Sequence, residues 1–573
     1  MLSIFKILLF QMLDRRQRLR LTALVLVGMI TAILEGMSVY MVLPFIEIMS
    51  ARREVDAASF FPKEVADFVN GFDMPLNGLF FVILSIFLAK SIVLSFCAYF
   101  KHSVINETRE KLAKRLFGIY LNKDKTFVDA VNSSELVTNM SAGIHLVSSG
   151  LLGNSIIIFI EVTIVFCILS VTLLVNHWIV IIAPITLGLF GYFFILMTKR
   201  LVKNAAKQRA IADKNKIKTL NETFASLLEI KVYGAQKIFT QPYEKYEHQL
   251  MRTSRNISFL SELPRINLDT LIICMLFFVI YLISFVSGNN YQNALATNGL
   301  LAAALIKMAP SFNRIIVAFN GVKFAIPAML EIAPHLETEP AKLSQQERHD
   351  GQRSLPVGQI LIRQLSFKYK TNSDYVFKNI DMTINAGDIV GVVGESGSGK
   401  STLLHVILNL LSPTAGSVEF FASKNFSPQS LDLKQVAFIP QTPSVLEASI
   451  AENVAFGYEK NEIDQNKLQD SIEKAQALFV SRLPEKEQTI IAEDGNNFSG
   501  GQIQRLMIAR ALYSTPSIMI FDEATNALDA KNETAILKLI KDLSPDKIIF
   551  IVSHSQKLMR VCDKIIDIQK YKI

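Results

Sequence analysis

Two short stretches of this 573-residue sequence bring together residue types suited to phosphate chemistry. In the first, Gly394-Glu395-Ser396-Gly397-Ser398-Gly399-Lys400-Ser401-Thr402 gathers glycines, hydroxyls and one lysine. The glycines let successive backbone N–H groups turn inward around the β- and γ-phosphates of a nucleotide. Lys400 neutralises phosphate charge, and the Ser401 hydroxyl suits Mg²⁺. In the second stretch, Asp522 and Glu523 close the apolar run 517–521. Asp522 is placed to hold the metal's shell, and Glu523 to orient or deprotonate an attacking water. Acid pairs often mark nothing more than a strand end; downstream of such a glycine loop they read as its catalytic complement.

These groups need elements to aim them. Asp388 opens an Ile-Val-Gly-Val-Val run that predicts a buried strand leading into the loop, and Leu403–Leu411 predicts the helix that follows. Strand, glycine loop and helix are the context in which the pattern becomes a phosphate site, with the positive helix end adding to the field. Residues 357–573 have the composition of a globular α/β domain. A polar stretch, 334–356, reads as a linker before it.

Residues 1–333 are of another kind. The chain is 50% hydrophobic, with a mean hydropathy of +0.32, and the excess lies almost wholly in this half. Six stretches, near 21–49, 78–100, 147–174, 178–198, 263–287 and 298–325, approach the roughly 20 helical residues needed to cross a bilayer core. The basic run before the first span and the Lys- and Arg-rich segments after the second and fourth place both termini in the cytoplasm. The formal net charge of +8 is largely this signal, with anionic lipid as its neighbour; no nucleic-acid partner is implied. The segments 101–146 and 199–262 read as helical extensions, turning near Val131–Leu136 and Ile230–Gly234. Cys97, Cys167, Cys274 and Cys562 form no paired motif and read as small buried hydrophobes.

The second half resembles the ATP-binding cassette (ABC) family. Ser499-Gly500-Gly501-Gln502 matches its signature motif, Tyr369 the adenine-stacking aromatic, Gln441 the glutamine that reaches Mg²⁺, and His554 the histidine at the γ-phosphate. Ala527-Leu528-Asp529 matches the D-loop, with Asn526 where serine is commoner, and Glu493-Asp494-Gly495 the loop before the signature. Phe498 replaces the usual leucine. The resemblance implies an ATPase with ATP and Mg²⁺ as cofactors: Lys400, Glu523 and His554 catalytic, Ser401, Gln441 and Asp522 at the metal. It also implies a dimer, because Ser499 and the adjoining glycine backbone close on ATP held by a partner chain. Six spans preceding one cassette resemble a half-transporter of the exporter type, with the turns near 131–136 and 230–234 carrying nucleotide closure to the spans. A homodimer then has two competent sites; a heterodimer stays open.

Cargo is written in the spans. Lys307 and Arg314 share one face of the sixth, with Lys323 beyond them, and Glu35, Lys90 and Glu161 also lie in spans. Two readings stay open: the charges pair among themselves, or Lys307, Arg314 and Glu35 contribute to a basic wall for an anionic group such as pyrophosphate. Phe61, Val65, Phe68, Val69 and Phe72, with Pro62 at the start, predict a short external helix. Glu35 through Pro44-Phe45-Ile46, Pro264-Arg265-Ile266 and the run Pro310 to Ile316 resemble bacterial flippases for lipid-linked oligosaccharides. That resemblance implies movement of a polyprenyl-diphosphate glycan from the inner to the outer leaflet of the cytoplasmic membrane. A peptide or drug exporter is the alternative; lack of a leading cysteine-protease segment disfavours leader-cleaving peptide export. An ATP-gated channel or regulator is the remoter one, against which the intact motifs count.

Overall fold

The computed structural model describes residues 14–40, 75–123, 127, 131–175, 179–286, 291–336, 355–369, 374–395, 397–423, 427–523, 530–553 and 559–572. The chain divides into two compact units, one made of Met1–Lys123 and Val128–Leu343, the other of Asp124–Phe127 and Ser344–Ile573.

The first unit is helical throughout its described residues: α1 (Arg15–Tyr40), α2 (Pro75–Leu121), α3 (Ser133–Thr138), α4 (Asn154–Val175), α5 (Ile179–Ala225), α6 (Leu227–Val232), α7 (Gln236–Val286) and α8 (Tyr291–Leu336). Two π-helical stretches, Asn139–Gly143 and Leu146–Gly153, join α3 to α4. α1 packs along α4 and α2, α8 along α4 and α5, and α7 along α5. Leu24, Leu116, Ile168, Leu187, Leu268 and Leu305 fill the interior, while Phe80, Leu88, Ile92, Phe166, Phe193 and Phe277 stay exposed. Apolar residues on both faces are what a bundle solvated by lipid requires, since the surroundings are as apolar as the core. Helix approach is close enough that a Cβ on Gly321 would stand 2.2 Å from Asn154 Nδ2, which itself donates to the Gly150 carbonyl at 2.7 Å.

Among the described residues five helical stretches are long and apolar enough to cross a membrane: Arg15–Ser38, Ile83–Leu121, Ser133–Ser170, Ile185–Ala225 and Ala304–Leu336. The expected span at 263–287 falls on α7, which is not one of them, so the predicted count of six is not reached. α8 runs unbroken to Leu336 despite Pro310, Pro327 and Pro334, past the start expected for the linker. The proposed external helix and the stretch 41–49 lie outside the described residues. The four cysteines form no disulfide with one another; Cys97 is buried, Cys167 and Cys562 half-buried, but Cys274 is exposed on α7 rather than buried as expected.

The second unit holds two sheets. β1 (Val357–Phe367), β2 (Phe377–Asn385), β4 (Ala415–Ala422) and β5 (Pro428–Gln429) form an antiparallel sheet in the order β2-β1-β4-β5. β3 (Ile389–Val393), β6 (Val436–Ile439), β7 (Ile518–Asp522), β8 (Ile548–Val552) and β9 (Lys564–Asp567) form a parallel sheet in the order β6-β7-β8-β3-β9. Its helices are α9 (Lys400–Ile407), α10 (Ile450–Val454), α11 (Gln465–Lys474), α12 (Gly500–Tyr513) and α13 (Ala530–Leu543). β3, β7 and β8 read as continuous apolar runs because parallel strands are covered on both faces; Val390, Val392, Ile520 and Phe550 are fully buried. Functional residues then collect where such strands end, beyond their carboxyl termini.

Candidate nucleotide site and intramembrane charges

β3 ends at Val393 and the chain turns through Gly394 (φ 152°) and Gly399 (φ 106°), left-handed conformations that side chains rarely adopt. At Gly399 a Cβ would also stand 2.3 Å from Val376 Cγ1. Gly399 is the N-cap of α9, so Lys400, Ser401 and Thr402 form its first turn, where unpaired N–H groups and the helix dipole favour an anion. Lys400 Nζ donates to the carbonyls of Gly394 and Glu395, both at 2.9 Å, folding the lysine back over the loop. Ser398 Oγ is buried with no hydrogen-bond partner among the described residues, a polar atom that a phosphate oxygen would satisfy.

β7 delivers the two carboxylates. Ser401 Oγ donates to Asp522 Oδ2 at 3.3 Å. Burial pushes the Asp522 carboxyl above the usual range, with the neighbouring Glu523 charge adding to it and Ser401 and Lys400 opposing. Glu523 sits at φ 50°, its backbone N–H bonded to the Val552 carbonyl of β8 at 2.8 Å. That left-handed turn aims the second carboxylate apart from the first, and Gln441 Nε2 donates to Glu523 Oε2 at 2.7 Å. Hydroxyl, carboxylate and amide oxygens are hard donors of the kind Mg²⁺ takes alongside phosphate oxygens, so Ser401, Asp522 and Gln441 fit that ion. A cation there would offset the desolvation that raises Asp522.

Tyr369 shares a hydrogen bond with Thr402 Oγ1 through its hydroxyl (3.0 Å) and meets Phe367 edge-on at 5.0 Å. The structure thus brings together Tyr369, Gly394, Glu395, Gly397, Ser398, Gly399, Lys400, Ser401, Thr402, Gln441, Asp522 and Glu523. Ser396, His554 and the D-loop residues Asn526 to Asp529 lie outside the described residues.

The signature motif stands at the start of a different helix. Ser499 is the N-cap of α12: its Oγ accepts from the Gln502 N–H at 3.3 Å, and Gln502 Oε1 accepts from the Ser499 N–H at 2.7 Å. Gly500 and Gly501 follow as the first helical residues, leaving their N–H groups without side-chain cover. Phe498 packs on Phe479 (5.9 Å), which also lies under the Arg505 guanidinium. Asn497, unremarked in the sequence, straps the preceding loop by accepting from the Ala492 N–H and donating to the Ile490 carbonyl.

In the helical unit the intramembrane charges meet one another. Glu35 pairs with Lys90, and its second oxygen lies 3.5 Å from Lys307. Lys90 also donates to Ser38 Oγ at 3.1 Å. Arg314 grips Glu161 with both Nε and Nη2. The guanidinium side chain is 51% exposed and its carboxylate partner 9%. Lys323 instead lies over the Phe319 ring at 4.4 Å.

Comparison with known proteins follows this division. Residues 21–306 match the family model for the ABC transporter transmembrane region, and 377–526 the family model described as ABC transporter. An ATP-dependent lipid A-core flippase of Saccharophagus degradans is 26% identical over 500 residues, 86% of this chain and 82% of that protein. The alpha-hemolysin translocation ATP-binding protein HlyB of Escherichia coli is 34% identical over 235 residues, covering 40% of this chain and 32% of that one. A bacterial Atm1-family ABC exporter solved with ATP bound superposes with a TM-score of 0.77, at 17% identity, over 97% of this chain and 94% of its own. A helical membrane domain followed by a phosphate-loop domain defines a nucleotide-driven membrane protein. The chain belongs to the ABC transporters, as a half-transporter of the exporter type whose transmembrane domain is fused to its ATP-binding cassette, and it is an ATPase coupled to transport.

Proposed function

We propose that two copies of this chain form a homodimer in the cytoplasmic membrane, both termini inside, and flip a lipid-linked oligosaccharide or related anionic glycolipid from inner to outer leaflet. The observation that carries the cargo is the charge balance within the spans: among the described residues Lys90, Lys307 and Arg314 pair with two carboxylates, Glu35 and Glu161. Excess positive charge is costly in a bundle and is retained where it faces a cavity or an anionic partner. Lys307 and Arg314 are the partly exposed members. Glu35 lies 3.5 Å from the Lys307 ammonium. The relative named for lipid A-core supports a lipid cargo.

In the cassette, Lys400 leaves its carbonyl partners for the phosphates and Ser398 gains an acceptor. Ser401, Asp522 and Gln441 would hold Mg²⁺, which neutralises charge on the phosphates when bound. Glu523 orients or deprotonates the attacking water, with His554 at the γ-phosphate by resemblance. Ser499 and the N–H groups of Gly500 and Gly501 face the ATP of the second copy, so closure needs both chains. Differential affinity of ATP for the closed state shifts the population outward-facing, and hydrolysis resets it. The apolar tip formed by Leu228, Val232 and Tyr233, exposed beside the left-handed Gly234, is a fitting docking surface for a cassette. Reconstitution into liposomes with a fluorescent polyprenyl-diphosphate oligosaccharide tests the reading: ATP-dependent transfer between leaflets is expected. Stimulation by peptides or drugs, with no lipid movement, overturns it.

A further inference from the structure

Arg510 lies two turns and more beyond the signature on α12, and its guanidinium is half-buried yet bonds to no carboxylate among the described residues. Its Nε donates to the Asn453 carbonyl at 2.7 Å, Nη1 to the Ser444 carbonyl at 3.1 Å and Nη2 to Asn453 Oδ1 at 3.2 Å. The ring of Phe456 covers it at 4.5 Å. Burial without a counter-ion pushes its pKa down to about 10. A side chain held there only for packing would bring no such charge, because an apolar residue of the same volume avoids the desolvation.

What the guanidinium grips is the segment that follows Gln441. Asn453, fully buried on α10, donates to the carbonyls of Leu446 and Ser449 and accepts from the Leu446 N–H. Leu446 to Ser449 are therefore sewn to Asn453, and both Asn453 and Ser444 to Arg510. Gln441 lies three residues before Ser444 and holds Glu523. Ser499 caps the same helix that carries Arg510. A continuous set of bonds runs from the carboxylate at the chain's own phosphate site to the motif offered to the other one.

We propose that Arg510 is a positioning residue that ties the Gln441 loop to the signature helix, so that displacement of Gln441 by nucleotide and presentation of Ser499 to the second nucleotide are one rigid movement. The proposal rests on the reading that Gln441 and Ser499 serve two nucleotide sites. Fork geometry matters: only a guanidinium reaches two backbone carbonyls and an amide oxygen together, and lysine brings a single head group.

The test uses the full-length protein in lipid nanodiscs, comparing Arg510→Ala, Arg510→Lys and Gln441→Ala with the double variant Gln441→Ala/Arg510→Ala. For Arg510→Ala we expect kcat for ATP to fall about tenfold or more, the affinity for a fluorescent ATP analogue to stay within about twofold, and positive cooperativity in ATP to be lost. Arg510→Lys should recover part of kcat without restoring cooperativity. In the Gln441→Ala background the second substitution should slow turnover by less than about twofold, because the two act on one element. Losses that multiply in the double variant, or an Arg510→Ala protein that keeps kcat and cooperativity, overturn the proposal. So does a fall in melting temperature of Arg510→Ala with kcat per folded molecule unchanged. Glu523→Gln serves as the control for the underlying reading: if it still turns over, the site assignment fails rather than the tie.

Discussion

Lys400 in the cassette and Lys90 in the membrane unit face the same problem, a cation largely removed from water, and solve it differently. Lys400 folds back onto the carbonyls of Gly394 and Glu395, six and five residues away in sequence. Lys90 reaches Ser38, 52 residues away, and Glu35 on the same helix. The first arrangement is weak enough to surrender its lysine to a phosphate. The second neutralises charge with charge in a medium where an unpaired ion is costly, so it is hard to break and easily upset by removing one partner. A motor site keeps its groups on neutral, exchangeable partners; a span keeps its groups on fixed ionic ones.

The sharpest way to break that contrast is Glu523→Gln. It should lower ATP turnover by about a thousandfold while nucleotide still binds, in keeping with the loss of a general base. Undiminished hydrolysis, measured by phosphate release, removes Glu523 from its role. Gly399→Ala comes next: a methyl at φ 106° and 2.3 Å from Val376 cannot be housed, and nucleotide binding should fail. The cost of such a backbone position, about 1–3 kcal/mol, should also appear as a lowered melting temperature.

Proton competition at Asp522 should be the third largest effect. Its raised pKa means that the protonated, neutral form persists to higher pH than for an ordinary aspartate. Apparent Mg²⁺ affinity should therefore fall as pH drops, beginning above the usual carboxylate range, and Mg²⁺ titrations of ATPase at several pH values will show it. A pH-independent midpoint removes Asp522 from the metal's shell.

In the membrane unit, Arg314→Ala should reduce stimulation of the ATPase by a polyprenyl-diphosphate lipid several-fold while basal turnover changes less. Equal loss of both would mean that the pair with Glu161 is structural only. At the small end stands Lys216→Ala, which breaks the exposed pair with Glu247. Such pairs contribute about 0–1 kcal/mol, so thermal stability should barely move, most of all in high salt.

The parts that were legible beforehand share one property: their partners are close in sequence. The glycine loop, the strand before it, the helix after it and the signature run Ser499–Gln502 each form within a few residues, and local spacing is enough to specify them. Cys274 is exposed where its apolar stretch predicts burial, because such a stretch does not say which of its faces meets lipid. Asn497, Asn453 and Arg510 carry no signal in the sequence because polar residues in a helix or loop look alike until their acceptors are known.

By itself, then, the sequence determined that this chain is a membrane bundle joined to an ATP-binding cassette, since hydropathy and motif spacing are properties of neighbouring residues. Only the tertiary structure decided which charges meet. Arg314 and Glu161 are 153 residues apart, and Gln441 and Glu523 are 82 apart. Helix packing and strand order choose those partners, and at such separations the linear pattern carries no record of the choice.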